Sequence, residues 1–319
     1  MIAKVERMKS YTIIGTGAIG GYCAIKLQQA GFDVHCLLGR DYDYVREHGL
    51  TVVSVETGTS QTVLVNAYRD ASQMPPCDVI LVALKTTANS ILHDMLPKLM
   101  HENSVVVILQ NGIGIEQEIA KFVPADKIIA GSTILKVSKD VPGTITHFGF
   151  NRIELAQYYP EVDKTGITQS VEMLVNNFIK AGFNATAATH LPTVKWKKLA
   201  SNIPVSGLSV VLNASLSELV NNPASFELLT TITKEIISTA TQCGAHMPKD
   251  FYQFRLNIFE SFKTMTNSYP SMKVDFDAKR PLELHAIYEN SINLAHCYQA
   301  SMPLTQMLYQ QLLYLSTSH

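Results

Sequence analysis

At 319 residues the chain is long for one hydrophobic core, so two domains are expected, and its 46% hydrophobic content is enough to fill both. The formal net charge of −1 gives no electrostatic reason to bind nucleic acid or a membrane surface. No apolar run is long enough to span a bilayer, and Met1–Ser10 is a polar lead-in rather than a signal peptide. Cys23, Cys36, Cys77, Cys243 and Cys297 are scattered with no C-x-x-C, which argues for reduced, buried thiols of a cytoplasmic protein and against zinc.

The first predicted element is a β-branched strand, Tyr11–Ile14, running into Gly15-Thr16-Gly17-Ala18-Ile19-Gly20 and then a helix that ends at Gly31. Gly15 permits the tight turn, Gly17 lets backbone amides approach a pyrophosphate, and Gly20 lets the helix pack closely on the strand. Thr16, Ala18 and Ile19 complete the loop. The helix N-terminus offers unpaired N–H groups and a positive dipole end. A G-x-G-x-x-G pattern alone is weak, but here a strand precedes it, a helix follows, and a second strand (Asp33–Leu38) arrives on schedule. The expectation is a Rossmann-type dinucleotide site. The second strand ends Leu37-Leu38-Gly39-Arg40, where NAD-selective proteins place an acid for the ribose 2′-hydroxyl. Arg40 suits a 2′-phosphate and favours NADP. Asp41 argues the other way, and a plain solvated turn residue is the third reading of Arg40.

Tyr42–His48 is a short predicted helix closed by Gly49, and Leu50–Val55 and Gln61–Ala67 read as strands around Thr57-Gly58-Thr59. Cys77–Leu84 is a continuous apolar run of the kind buried on both faces of a parallel sheet. Lys85 stands at its carboxyl end, where open α/β sheets bind ligands. A helix over Thr87–Met100 leads to the strand Ser104–Leu109, which runs out into Gln110-Asn111-Gly112-Ile113-Gly114. Asn111 is thus a second polar residue at a strand end, and its glycines permit close approach of the backbone to a ligand. The bland alternatives for Lys85 and Asn111 are a solvated charge and a turn former. Lys127–Thr133, Thr144–Phe148 and Arg152–Leu155 are further strands, with Pro142-Gly143 as a hairpin turn. The helix Thr168–Gly182 closes the first domain near His190.

From Leu191 the pattern is helical throughout: Thr193–Leu212, Ser215–Asn221, Ala224–Cys243, Pro248–Met265, Pro281–Gln299 and Leu304–Leu315. The fold class is therefore α/β, an N-terminal Rossmann-type domain (residues 1–190) plus an all-helical C-terminal domain (191–319). The cleft expected between them is the default substrate site. The helical half is also a candidate homodimer face, although no stripe of residues marks one.

Val194-Lys195-Trp196-Lys197-Lys198-Leu199-Ala200-Ser201-Asn202 adds a specific signature. It joins the glycine loop, Leu84-Lys85, Gln110–Gly114, and Pro270-Ser271-Met272 leading to Arg280-Pro281-Leu282-Glu283. In this order and spacing, over nearly the whole chain, the sequence resembles the ketopantoate reductases (2-dehydropantoate 2-reductases). The resemblance implies NADPH-dependent reduction of a 2-keto acid as in pantothenate biosynthesis, with Lys198 as the catalytic acid and Glu283 as the essential carboxylate. An ammonium at that place stabilises the developing oxyanion and delivers the proton, with Lys195 and Lys197 as solvated neighbours.

Asn202, four residues on and so on the same helical face, matches a substrate-binding Asn. Ser271 matches a Ser that contacts the substrate. Asn111 falls between nicotinamide and substrate, Lys85 near the cofactor's ribose and phosphates, and a backbone cofactor contact near Val137. Glu283 would also reach the nicotinamide ribose; in the first turn of a helix after Pro281 it is equally what favourable dipole placement produces.

The chain departs from the family at two places. Ser206, preceded by Pro204, replaces a second Asn, and His285, Tyr288 and Glu289 replace an acidic-then-Asn-Gly pattern. These departures bear on which 2-keto acid is the substrate. The alternatives are a related dehydrogenase of another keto or hydroxy acid, and a non-catalytic NADP(H)-binding module.

Overall fold

The computed structural model describes residues 8–317. They form two compact units, one made of the chain up to Gln110 with Glu116–Leu191, the other of Asn111–Ile115 with the chain from Pro192 onward. Of the lead-in expected over Met1–Ser10, residues 1–7 lie outside the described residues, and Ser10 already opens the first strand. Contiguous domains 1–190 and 191–319 leave one feature out: Asn111–Ile115 packs with the helical unit.

The first unit is built on one ten-stranded sheet: β1 (Ser10–Ile14), β2 (Asp33–Leu37), β3 (Leu50–Ser54), β4 (Ser60–Val63), β5 (Asn66–Tyr68), β6 (Val79–Val82), β7 (Val105–Ile108), β8 (Ile128–Val141), β9 (Thr144–Gln157) and β10 (Asn184–Ala187). The order is β4-β3-β9-β8-β7-β6-β1-β2-β5, with β10 paired to β9. β6 and β7 are buried along their whole length, which is why they read as unbroken Val/Ile/Leu runs. β1 is flanked by parallel β2 and β6. The chain leaves β1 through helix α1 (Ala18–Gln29) for β2 on one side and reaches β6 on the other. Strand order reverses there, making the carboxyl ends of β1 and β6 the switch point where such sheets take ligands.

Helices α2 (Tyr42–His48), α3 (Leu92–Leu99), α4 (Ile115–Ile119) and α5 (Gln169–Lys180) complete the connections. The single strand expected over Gln61–Ala67 is two: β4 pairs antiparallel with β3, and β5 pairs with β2 near the opposite edge. Nothing in the local sequence marks the break, because no Gly or Pro falls inside it. The helix expected over Thr87–Met100 begins as a 3₁₀ turn at Thr86–Ile91 before α3. The two strands expected after the Pro142-Gly143 turn form one, β9, with register shifts in its ladder to β8.

The helical unit contains α6 (Leu191–Val211), α7 (Leu216–Asn221), α8 (Pro223–Gln242), α9 (Phe251–Ser261), α10 (Ser271–Asp277), α11 (Asn290–Cys297) and α12 (Pro303–Thr317). Its core is anchored by the fully buried Trp196, Phe259 and Tyr288. Pro204 lies inside α6 and deprives the Ala200 carbonyl of its helical donor. The Thr233 hydroxyl of α8 donates to that carbonyl at 3.4 Å, so the helix runs on. α10 was not expected from the sequence. Of the five cysteines, all free, Cys297 is exposed rather than buried. No helix among the described residues is long and apolar enough to cross a membrane.

Candidate active site

In the first unit, Gly15 adopts φ +93°, and a Cβ there would lie 2.2 Å from the Leu84 nitrogen, so the turn after β1 runs directly against the chain leaving β6. A Cβ on Gly20 would sit 2.1 Å from the Gly15 carbonyl oxygen, which enforces the close helix packing. Gly17 differs: a Cβ there meets nothing within 4 Å. As the N-cap of α1 it supplies no side-chain hydrogen bond, and no acid occupies the first turn. The result is an open approach to uncapped helix amides, a cradle suited to a pyrophosphate.

Arg40 is exposed just past β2. Asp41 is the acid at that corner. Its carboxylate forms an ion pair with Lys139 and accepts from the Gly143 amide at 3.3 Å, so it is engaged inside the unit. Lys139 also donates to the Thr16 carbonyl at 2.6 Å, tying β8 to the glycine turn. It lies where the β8–β9 ladder slips register, and such irregularities re-aim side chains in a way that a period of two cannot foresee. Sequence reasoning missed Lys139 for that reason; Val137 sits partly buried on the same stretch. Lys85 is exposed after β6. Gln110 donates to the Leu84 carbonyl at 2.8 Å and to Asn89 at 2.7 Å, fastening together the loops that leave β6 and β7.

In the helical unit, Lys198, Asn202 and Ser206 recur every four residues along one face of α6. Lys198 and Asn202 are partly buried and Ser206 is buried. The expected solvated neighbours divide: Lys197 is partly exposed, whereas Lys195 is only 3% exposed. Burial, with the Arg255 charge second, pulls the Lys198 pKa from 10.5 down to about 8. Asn202 donates to the Asn111 side-chain oxygen at 3.5 Å, the long limit of a hydrogen bond.

Asn111 is set there by its own segment. Helical structure between Leu284 and α11 takes a π-turn over His285–Glu289. The Ala286 carbonyl there accepts from the Ile113 amide at 3.0 Å, and Asn290 donates to the Ile113 carbonyl at 2.8 Å. Gly112, at φ +99°, lies so close that a Cβ would come within 2.4 Å of the Ala286 oxygen. The glycines expected to admit a ligand are therefore used to dock this segment on the π-turn, a common irregularity at functional sites.

Glu283 is buried, but not in a helical first turn as expected. Pro281–Glu283 is non-helical and the helix begins at Leu284. Arg280, bonded to Asp275 at 2.9 Å, holds the chain before it. Ser271 is exposed as the first residue of α10. Tyr288 is fully buried and donates to the Ile203 carbonyl at 2.9 Å. Its hydroxyl lies 2.7 Å from where a Gly207 Cβ would be. Arg255 was not singled out from the sequence, though it was legible as a charge on the buried face of α9, four residues from both Phe251 and Phe259.

Comparison with known proteins gives consistent matches. The family model for ketopantoate reductase PanE/ApbA matches residues 11–159, and that for its C-terminal domain matches 191–315. The 2-dehydropantoate 2-reductase of Nostoc sp. is 39% identical over 96% of this chain and 95% of its own length. A crystal structure of 2-dehydropantoate 2-reductase from Geobacter metallireducens has a TM-score of 0.89 at 31% identity, covering 96% of this chain and 99% of that one. One from Methylococcus capsulatus has a TM-score of 0.84 at 27% identity, covering 97% and 98%.

Proposed function

The chain belongs to the ketopantoate reductase family of oxidoreductases, and on that premise we propose that it reduces 2-dehydropantoate to pantoate with NADPH. Bound NADPH would supply a hydride to the C2 carbonyl carbon. The residues for holding it are the Gly15–Gly20 loop with Thr16, Gly17, Ala18 and Ile19, then Arg40, Lys85, and the chain near Val137. Arg40 takes the 2′-phosphate, since Asp41 is bound up with Lys139.

The ammonium of Lys198 protonates the carbonyl oxygen as charge builds there, leaving a neutral amine that recovers its proton from solvent. Asn111 and Asn202 hold the substrate's polar groups, Ser206 and Ser271 contribute hydroxyls, and Glu283 receives the substrate hydroxyl and the nicotinamide ribose. The observation carrying this reading is Lys198 itself, an amine whose burial tunes it to about 8 on the α6 face that also bears the Asn202–Asn111 contact. An acid with a pKa near working pH is the efficient choice.

Ser206 and the buried Tyr288 favour a second reading, in which another branched 2-keto acid is preferred. Initial rates on 2-dehydropantoate and a panel of branched 2-keto acids, with NADPH and NADH, test both. A higher kcat/KM for another acid selects the second reading. NADPH binding without turnover of any of them would leave only a binding module.

A further inference from the structure

Arg69 has no role in the reading above, yet the fold delivers it to the corner that Arg40 occupies. β5 runs parallel to β2, with Leu37 opposite Tyr68 and the Leu38 amide donating to the Tyr68 carbonyl at 2.8 Å. Arg69 is therefore the first residue beyond β5, beside the point where Leu38-Gly39-Arg40 leaves β2. That end of β2 also touches the glycine turn, because the Thr16 hydroxyl donates to the Leu37 carbonyl at 3.3 Å. The Arg69 guanidinium carbon lies 4.7 Å from the ring centre of Tyr42, two residues past Arg40, and that of Arg46 lies 5.6 Å from the same ring. Arg40, Arg46 and Arg69 are all exposed. Three acids stand near them in the chain. Asp41 is paired with Lys139, and Asp70 accepts from the Ser72 amide at 2.9 Å. Asp43 accepts from the Arg69 Nη2 at 2.6 Å, but the two side chains are 74% and 62% exposed, so water weakens this pair and a stronger anion can displace it.

We propose that Arg69 is a second reader of the cofactor's 2′-phosphate, closing on it from the end of β5 while Arg40 closes on it from the end of β2. The proposal rests on the NADPH reading above and makes Arg69 a specificity-determining residue for that cofactor. In sheets of this kind the adenosine ribose is met at the end of β2, and a paired strand lies only about 4.8 Å to the side. A phosphate monoester carries about −1.5 to −2 charges at pH 7, more than one guanidinium neutralises, and it offers three acceptor oxygens. Two guanidinium forks from adjacent strand ends match that charge and geometry. The Tyr42 ring restrains the Arg69 fork through its face, which leaves the N–H donors for the anion. On binding, the phosphate takes the place of the Asp43 carboxylate as the partner of Arg69. The ribose hydroxyl of NADH carries no charge, so Arg69 adds nothing to its affinity.

The test is calorimetric binding of NADPH, NADH, adenosine 2′,5′-bisphosphate and adenosine 5′-monophosphate to wild type, Arg69→Met and Arg69→Lys. Arg69→Met is expected to raise Kd for NADPH and for the bisphosphate about 10- to 100-fold. Kd for NADH and for the monophosphate should stay within about twofold of wild type, and Arg69→Lys should fall between, since an ammonium keeps the charge but not the fork. Equal losses for the phosphorylated and unphosphorylated ligands would assign Arg69 to adenine packing or to the fold and overturn the proposal. A bisphosphate Kd within about threefold of wild type in Arg69→Met would overturn it too. If wild type binds the bisphosphate through Arg69 but oxidises NADPH with no keto acid, the phosphate subsite stands and the reductase reading falls. If wild type binds NADH as tightly as NADPH, the subsite and the NADPH reading fall together. Should Arg69→Met not fold, Arg69→Gln carries the same comparison.

Discussion

Lys198 makes a quantitative prediction about pH. Moving its pKa from 10.5 to about 8 disfavours the ammonium by about 3 kcal/mol. As the acid in reduction, Lys198 must be protonated. The kcat/KM for keto acid should therefore be level at neutral pH, fall to half at about 8, and decline about tenfold per pH unit beyond. The reverse oxidation needs the neutral amine as base, so it should rise through the same midpoint. Stability has its own sign. The unfolded chain holds this proton up to about 10.5 and the folded chain only to about 8, so the unfolded state binds more protons between them and stability should grow as pH rises through that window.

Lys198→Met lacks the titration, so the difference between its urea-melt stability and that of wild type should change by up to about 3 kcal/mol from pH 7 to 10.5. Its reductase rate should drop by about 10²–10⁴. Steady-state NADPH oxidation across pH decides the matter. A reduction profile flat to pH 10 would refute the depressed amine as the acid, as would a midpoint that survives in Lys198→Met.

Arg40→Ala should raise KM for NADPH by about 10- to 100-fold and leave KM for NADH unchanged; parallel changes would show that Arg40 does not read the 2′-phosphate. Lys139→Met frees the Asp41 carboxylate beside Arg40, and the NADPH-to-NADH ratio of kcat/KM should fall at least about tenfold by repulsion of the phosphate. An unchanged ratio would mean that Lys139 is only a tie to the Thr16 carbonyl. Gly112→Ala forces a Cβ to within 2.4 Å of the Ala286 oxygen at φ +99° and should lose about 1–3 kcal/mol in denaturant melts. It should lower kcat more than Asn111→Ala does if the docked segment, rather than one amide, positions the substrate.

Local chemistry made much of this molecule readable in advance. The strand–glycine–helix opening, the unbroken apolar strands β6 and β7, and the four-residue recurrence of Lys198, Asn202 and Ser206 all follow from short-range geometry. A backbone turn, a strand buried on both faces and a helix face each leave a mark within a few residues. What escaped depends on partners distant in the chain. Asp41 read as a rival to Arg40 until Lys139, 98 positions later and turned by a slip in the β8–β9 ladder, was seen to occupy it. Gly112 read as room for a ligand until the Ala286 carbonyl was found against it. Lys195 looked like an ordinary solvated charge, and only packing showed that it is buried. Sequence alone determined most of the elements, because propensity and spacing are local, and its resemblance to a family singled out the candidate site residues. Tertiary structure decided which charges are paired, which are buried and where the 111–115 segment docks, because desolvation and hydrogen bonding depend on groups that the chain brings together only by folding.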